Sequence, residues 1–147
     1  MKNLIVLALL LSTSIASYSQ NSPDEIINKF FIEYSKNPSK AVEDIYATNP
    51  WTTRIKDGIE TMKNEVNSYT VDYVGKYYGK ELITKKQFSE SFILYSYMLK
   101  YDRQPIRFTF KLYKPNDKWS LYSLNIDAGL DEELEQAAKL YYLNLEK

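Results

Sequence analysis

Pro105-Ile106-Arg107-Phe108-Thr109-Phe110-Lys111-Leu112-Tyr113 is followed, after Lys114-Pro115-Asn116-Asp117-Lys118, by Trp119-Ser120-Leu121-Tyr122-Ser123-Leu124-Asn125-Ile126-Asp127. In the first run Ile106, Phe108, Phe110 and Leu112 alternate with Arg107, Thr109, Lys111 and Tyr113. A period of two is that of a strand with one buried face. In the second run Tyr122, Leu124 and Ile126 alternate with Leu121, Ser123, Asn125 and Asp127. Like faces match when Phe108 opposes Leu124 and Phe110 opposes Tyr122, whereas a one-residue slip sets Phe108 against Asn125. This register leaves Asn116-Asp117-Lys118 as a three-residue loop, in which Asn or Asp tolerates a positive φ. It divides the second face of the hairpin into an apolar tip (Tyr113, Trp119, Leu121) and a polar base (Arg107, Asn125, Asp127).

Upstream, strand-like patterning reaches back to Thr70. Phe88 to Tyr101 reads as a second strand, and Val71 to Ile83 as a first, interrupted by Gly75 and Gly79, where bulges or bends are expected. Before Thr70 the period is helical. Ser22-Pro23-Asp24-Glu25 is a capping box with Pro at the first helical position, followed by Ile26, Ile27, Phe30, Phe31 and Tyr34 on one face. Asn37-Pro38 opens a second helix with Ala41, Val42 and Ile45 inward. Asn49-Pro50 opens a third, whose stripe is Trp51, Ile55, Ile59, Met62 and Val66, with Gly58 costing about 1 kcal/mol against Ala. Downstream, Asp131 to Leu145 returns to helix, with Leu134, Ala137, Ala138, Tyr141 and Leu145 on one face and three acids at its positive end. Helices, an antiparallel meander and a closing helix predict an α+β domain: N-terminal helices packed on a bent four-stranded antiparallel sheet, with a C-terminal helix.

The first nineteen residues read as a signal peptide. Lys2 supplies a positive start, Leu4 to Leu11 is an unbroken apolar run, and Ser17 and Ser19 satisfy the small-residue requirement before Gln20. The run is too short to span a bilayer, which takes about 20 apolar residues. A buried N-terminal helix or strand is the competing reading. The expectation is a soluble secreted or periplasmic product, residues 20–147, forming one domain. Loss of Lys2 leaves eighteen basic against nineteen acidic side chains. That balance lacks the basic stripe a phosphate backbone requires, so neither nucleic acid nor an anionic membrane is an expected partner.

Composition closes several chemistries. The chain has no histidine, so the usual general base and the commonest metal ligand are missing. It has no cysteine for a disulfide, a lipid anchor, a thiolate or a zinc site. Its four glycines form no phosphate loop, and Asp131-Glu132-Glu133 lacks calcium-loop spacing. No cofactor, metal or catalytic residue is therefore assigned. Tyrosine is the anomaly, at fourteen residues. Tyr73, Tyr77, Tyr78, Tyr95, Tyr97, Tyr101, Tyr113 and Tyr122 fall in expected strands. There they either line an aromatic surface or cavity for a sugar, lipid or partner, or simply suit half-buried strands.

The element order resembles the cone-shaped nuclear-transport-factor-two-like and cystatin-like α+β folds. So do Tyr101-Asp102-Arg103-Gln104-Pro105-Ile106-Arg107-Phe108 and Tyr113-Lys114-Pro115-Asn116-Asp117-Lys118-Trp119, which resemble strings in exported bacterial proteins of that type. The likeness covers roughly residues 22 to 130 and rests on element order plus one hairpin. It departs from the simplest cone in lacking a helix between the first two strands and in adding a C-terminal one. The fold hosts enzymes, binding proteins and assembly factors alike. The ketosteroid isomerase type implies a carboxylate with a hydroxyl donor, here Asp127 with Tyr122 or Tyr73, although Asp127 equally reads as a solvated strand end. Three functions follow as expectations. One is a non-catalytic exported binding module with an apolar or aromatic cavity or sheet face for an unknown small ligand. Another is an envelope interaction protein using Tyr113, Trp119 and Leu121, unless the closing helix covers that tip. The third is a carboxylate/tyrosine isomerase or lyase. As a candidate anion site, Arg107 lies opposite Asn125 and diagonal to Asp127, with Arg103 approaching the same end. The bland alternative is an ordinary surface ion pair.

Overall fold

The chain is described here from a computed structural model covering residues 22–142, with side chains to residue 140. The proposed signal segment and Leu145 lie outside the described residues. Helices α1 (Pro23–Tyr34) and α2 (Pro38–Tyr46) come first, then a 3-10 turn (Pro50–Arg54), α3 (Lys56–Ser68) and the short α4 (Val71–Val74). Strands β1 (Tyr77–Ser89), β2 (Phe92–Tyr101), β3 (Pro105–Tyr113) and β4 (Ser120–Asp127) follow, and α5 (Leu130–Tyr142) closes the chain. The strands form one antiparallel sheet in sequence order, so β1 and β4 are its edges. The fold is α+β.

The caps read from the sequence are formed. The Ser22 hydroxyl accepts from the Glu25 amide at 3.2 Å, and the Glu25 carboxylate accepts from the Ser22 amide at 2.9 Å. The Asn37 side-chain oxygen accepts from the Lys40 amide at 3.0 Å. These bonds satisfy amides that a helix start leaves unpaired. The apolar stripe of α1 is buried, as are Ala41, Val42 and Ile45 of α2. Phe30, Phe31 and Tyr34 meet Phe108 and Phe110 of β3 and Tyr97 of β2 with ring centroids 5.0–6.2 Å apart, mostly edge to face. The quadrupoles of stacked rings favour such offset and perpendicular arrangements. Together these rings fill the space between α1 and the centre of the sheet.

Four expectations need correcting. The third helix breaks at Ile55, leaving a 3-10 turn before α3, with Trp51 and Ile55 exposed. Asn49 accepts from the Trp51 amide at 3.0 Å while donating to the Leu121 carbonyl at 2.8 Å, which ties the turn to β4. The first strand does not start at Val71, because Val71–Val74 is a helical turn capped by Thr70. Gly75 ends it with φ 87°, and a Cβ there would lie 2.4 Å from Asp102, so only glycine fits. The Asp102 carboxylate also accepts from the Lys76 amide at 2.6 Å. The turn between β1 and β2 falls at Glu90-Ser91, which extends β1 across residues expected to be loop. Gly79 does mark one of three register shifts along β1.

The fourth correction is the hairpin register. Phe108 faces Ile126, Phe110 faces Leu124, and Arg107 faces Asp127 directly. The intended faces survive because the displacement is two residues, but a bulge between Lys111 and Leu112 pairs Leu112 with Leu121 and leaves Tyr122 as the extra residue. The cause lies outside the hairpin. The Leu121 amide donates to the Thr48 hydroxyl at 2.9 Å, and its carbonyl accepts from Asn49. The segment between α2 and the 3-10 turn thus acts as a substitute strand partner. It draws Leu121 inward to 1 % exposure and turns Tyr122 outward to 63 %. The connection between the paired residues Tyr113 and Ser120 consequently spans residues 114–119 rather than three residues.

Candidate functional site

Three of the four residues expected to hold an anion come together on the outer face of the sheet. Arg107 forks onto Asp127, its Nε donating to the two carboxylate oxygens at 3.1 and 3.0 Å and its Nη2 lying 2.9 Å from Oδ1. Asn125 Nδ2 donates to Asp127 at 3.2 Å, and the Gly129 amide at 3.1 Å. A fourth member comes from α5, where Glu133 accepts from Arg107 Nη1. These two carboxylates push the guanidinium pKa upward. Arg103 is not part of the group, since its Nη1 donates to the Tyr73 carbonyl at 2.9 Å. The expected ratio of charges is therefore inverted, with one guanidinium serving two carboxylates. With two carboxylates against one guanidinium the cluster is net negative and does not favour an anion, and it is a clamp fastening α5 to β3 and β4. Among the described residues Asp127 meets no tyrosine hydroxyl: Tyr122 is the exposed extra residue of the bulge and Tyr73 sits on α4.

The expected apolar tip is also rearranged. Leu121 is in the core and Trp119 packs against it, half-buried, with Lys114 Nζ 5.4 Å from its ring centroid. Tyr113 remains exposed, joined by Tyr122 and by Phe92 of β2, whose ring meets the other two at 6.3 and 5.6 Å. The face of α5 carrying Leu134, Ala137 and Ala138 covers none of this, and Leu134 is 73 % exposed. The side chain of Tyr141 lies outside the described residues.

The inner face of the sheet at its β1 edge holds a concavity that no local pattern announced. α1 packs its rings on β2 and β3, α2 meets β4, and α1 reaches β1 only through Tyr34 on Tyr77, Phe31 under Lys80 and Asp24 on Lys85. Asn28, Phe31, Ile32, Ser35, Tyr77, Gly79 and Lys80 line an open cleft of about 550 Å³ there. Ser35 and Tyr77 also border a smaller hollow of about 150 Å³, walled by Tyr34, Tyr69, Tyr101, Val71 and Gly75, so the two are neighbours that share these residues. Gly79 has open space where a side chain would stand, and its φ of 115° is one that L side chains rarely adopt. The wall is ordered by aromatic contacts among Tyr34, Tyr77 and Tyr101 and by a 2.8 Å bond between the Tyr34 and Tyr101 hydroxyls. Burial pushes the Tyr77 hydroxyl up to about 12, and those of Tyr34 and Tyr69 higher, so all are neutral donors at physiological pH.

Lys80 forms the far end of the cleft. Its ammonium lies 3.9 Å from the Phe31 ring centroid and 4.7 Å from that of Tyr97. Partial burial lowers its pKa, since desolvation disfavours the charged form. Beyond the cleft, at the start of α1, Asp24 accepts from Lys85 at 2.9 and 3.0 Å and from the Tyr95 hydroxyl at 3.0 Å. The Lys85 bond chiefly holds its carboxyl below the ordinary range, against the raising effect of burial. Burial and the bond to Asp24 push the Tyr95 hydroxyl upward. A separate groove of about 340 Å³ runs between α1 and α2, past Lys29, Glu33 and Asp44. Asp44 there is paired with Lys40, so this groove is a charge-balanced helix seam.

Among the described residues, no helix is long and apolar enough to cross a membrane, and no group of three or more carboxylates could hold a metal ion. No known protein family, no functionally described protein and no solved structure matches the chain, so the cleft has to be read from its own chemistry.

Proposed function

We propose that this protein is an exported, non-catalytic binding module of the cone-shaped α+β type, and that it holds a small, largely apolar ligand in the aromatic cleft between α1 and β1. The observation that supports this is the adjacency of the two hollows, which share Tyr77 and are walled between them by Phe31, Tyr34, Tyr69, Tyr77 and Tyr101. Ligand sites have this character, mostly apolar and aromatic with a few placed polar groups. Tyrosine serves well there, because its ring offers a large contact area and its hydroxyl a donor. The abundance of tyrosine in the chain is thereby put to use in one place.

Native mass spectrometry of the protein purified from its own source tests the reading. A small molecule should be retained, and it should be lost in Asn28→Trp, which plugs the cleft from an exposed position on α1. Retention undiminished by that variant would remove the cleft from the proposal. The same measurement reports maturation, for which the expected N-terminus is Gln20.

A second reading, an envelope interaction or assembly protein, draws on the outer face. Exposed Tyr113 and Tyr122 with half-buried Phe92 between them form an aromatic group of the kind that anchors protein interfaces. A partner chain that co-purifies with the wild type and is lost in Tyr122→Ser would favour it.

A further inference from the structure

The cleft carries one cation and no acid among its lining residues. Lysines elsewhere on the described surface are commonly matched: Lys40 with Asp44, Lys63 with Glu60, Lys85 with Asp24 and Lys100 with Glu81. Lys80 makes no ion pair and its ammonium no hydrogen bond among the described residues, although it is half-buried. Two ring faces stabilise its charge from beneath, and a cation over a ring keeps its remaining N–H groups turned away from that ring. A partly desolvated ammonium of this kind is incomplete without an acceptor.

The head group that fits is a single carboxylate. A phosphate carries more charge and more acceptor oxygens than one lysine can meet, and no arginine fork lines the cleft. The length of the body follows from the strand. Across the bulge at Gly79, Tyr77 and Lys80 pair with Tyr101 and Leu99, two steps apart on β2, so they stand about 7 Å apart along the sheet. That span matches a fused two-ring aromatic acid lying from the ammonium to the tyrosine wall.

Resting on the binding-module reading, we propose that the ligand is an aryl carboxylate, its carboxylate on Lys80 Nζ and its ring system edge-on to Tyr77, Tyr34 and Tyr101. An inward-pointing lysine on an edge strand can also serve only to discourage pairing with another chain, and the experiment separates the two roles.

The probes are 2-naphthylacetate and the uncharged 2-naphthaleneethanol, which share a body and differ in the head. Each is titrated into the mature protein and into Lys80→Met, Lys80→Arg and Asn28→Trp by calorimetry or by chemical-shift changes at the cleft. The acid should bind the wild type about tenfold or more tighter than the alcohol. Lys80→Met should bring the acid down to the level of the alcohol and leave the alcohol unchanged, Lys80→Arg should keep most of the preference, and Asn28→Trp should weaken both. Equal binding of both probes to the wild type, unaffected by Lys80→Met, overturns the carboxylate assignment and leaves the cleft standing. Lys80→Met that leaves both affinities intact but makes the protein self-associate identifies the lysine as an edge guard, and also overturns it. Binding of neither probe, or binding of both to Asn28→Trp as to the wild type, overturns the assignment; only the second result takes the cleft with it.

Discussion

The inner face of the sheet is treated in two ways. Over β3 it is sealed: Phe108 and Phe110 are fully buried under Phe30, Phe31 and Tyr34. Over β1 the same face is open, with Tyr77 and Lys80 bordering a cleft and Leu82 half exposed. Both stretches belong to one sheet and lie beside one helix. The difference comes from what the strands offer. β3 presents Ile106, Phe108, Phe110 and Leu112 to α1, each able to gain about 1.5–3 kcal/mol by burial. β1 presents lysines at Lys80 and Lys85, whose charged ends must keep access to water or to a partner. Packing therefore concentrates where the alternation is clean, and a recess remains where it is not. Stability and recognition are divided between two ends of a single surface.

The largest test of that division is Phe108→Ala. Removing a fully buried ring under α1 should cost about 3–5 kcal/mol in denaturant melts, whereas Thr109→Ala on the opposite face should stay within about 0.5 kcal/mol. Lys80→Met, at the open end, should resemble the second substitution rather than the first. Comparable losses at Phe108 and Lys80 would mean that the cleft is part of the core.

Arg107→Ala should have an intermediate effect, about 1–2 kcal/mol, because it leaves Asp127 and Glu133 facing each other without their shared cation. Its distinctive sign is local: hydrogen exchange should accelerate in α5 while protection in β2 and β3 holds. Unchanged exchange in α5 would show that the helix is fastened by something other than this clamp.

The smallest effect is expected at the mouth of α1. The folded pKa of Asp24 is depressed, so its contribution is present in full above the unfolded value near 3.8 and is lost as pH falls through the lower folded one. With the carboxylate more than half exposed, solvent screening keeps the ion pair to about 0–1 kcal/mol. Asp24→Asn should therefore destabilise by at most that amount near neutrality, and the gap to the wild type should close as pH falls below the unfolded value and through the lower folded one. A gap that widens on acidification would give the group the opposite sign.

Local chemistry was enough for much of this molecule. Ser22, Asn37 and Asn49 announce their caps because a short polar side chain beside Pro has few other uses. The alternation in β3 names its buried face because a strand turns over every residue. These signals act within four or five residues of one another, and the α+β order follows from them. What the chain alone could not decide depends on distant partners. Thr48 and Asn49, more than seventy residues from Leu121, impose the bulge that exchanges Leu121 for Tyr122. Glu133 reaches back twenty-six residues to Arg107 and converts an expected anion site into a helix clamp. The cleft is the extreme case, because Phe31, Tyr77, Lys80 and Tyr101 share no motif and meet only when α1 settles on the sheet. Local patterning set which residues prefer to be inside. Tertiary structure decided which inward-facing residues would find cover, since cover depends on shape, and shape is settled by contacts between segments that the sequence keeps far apart.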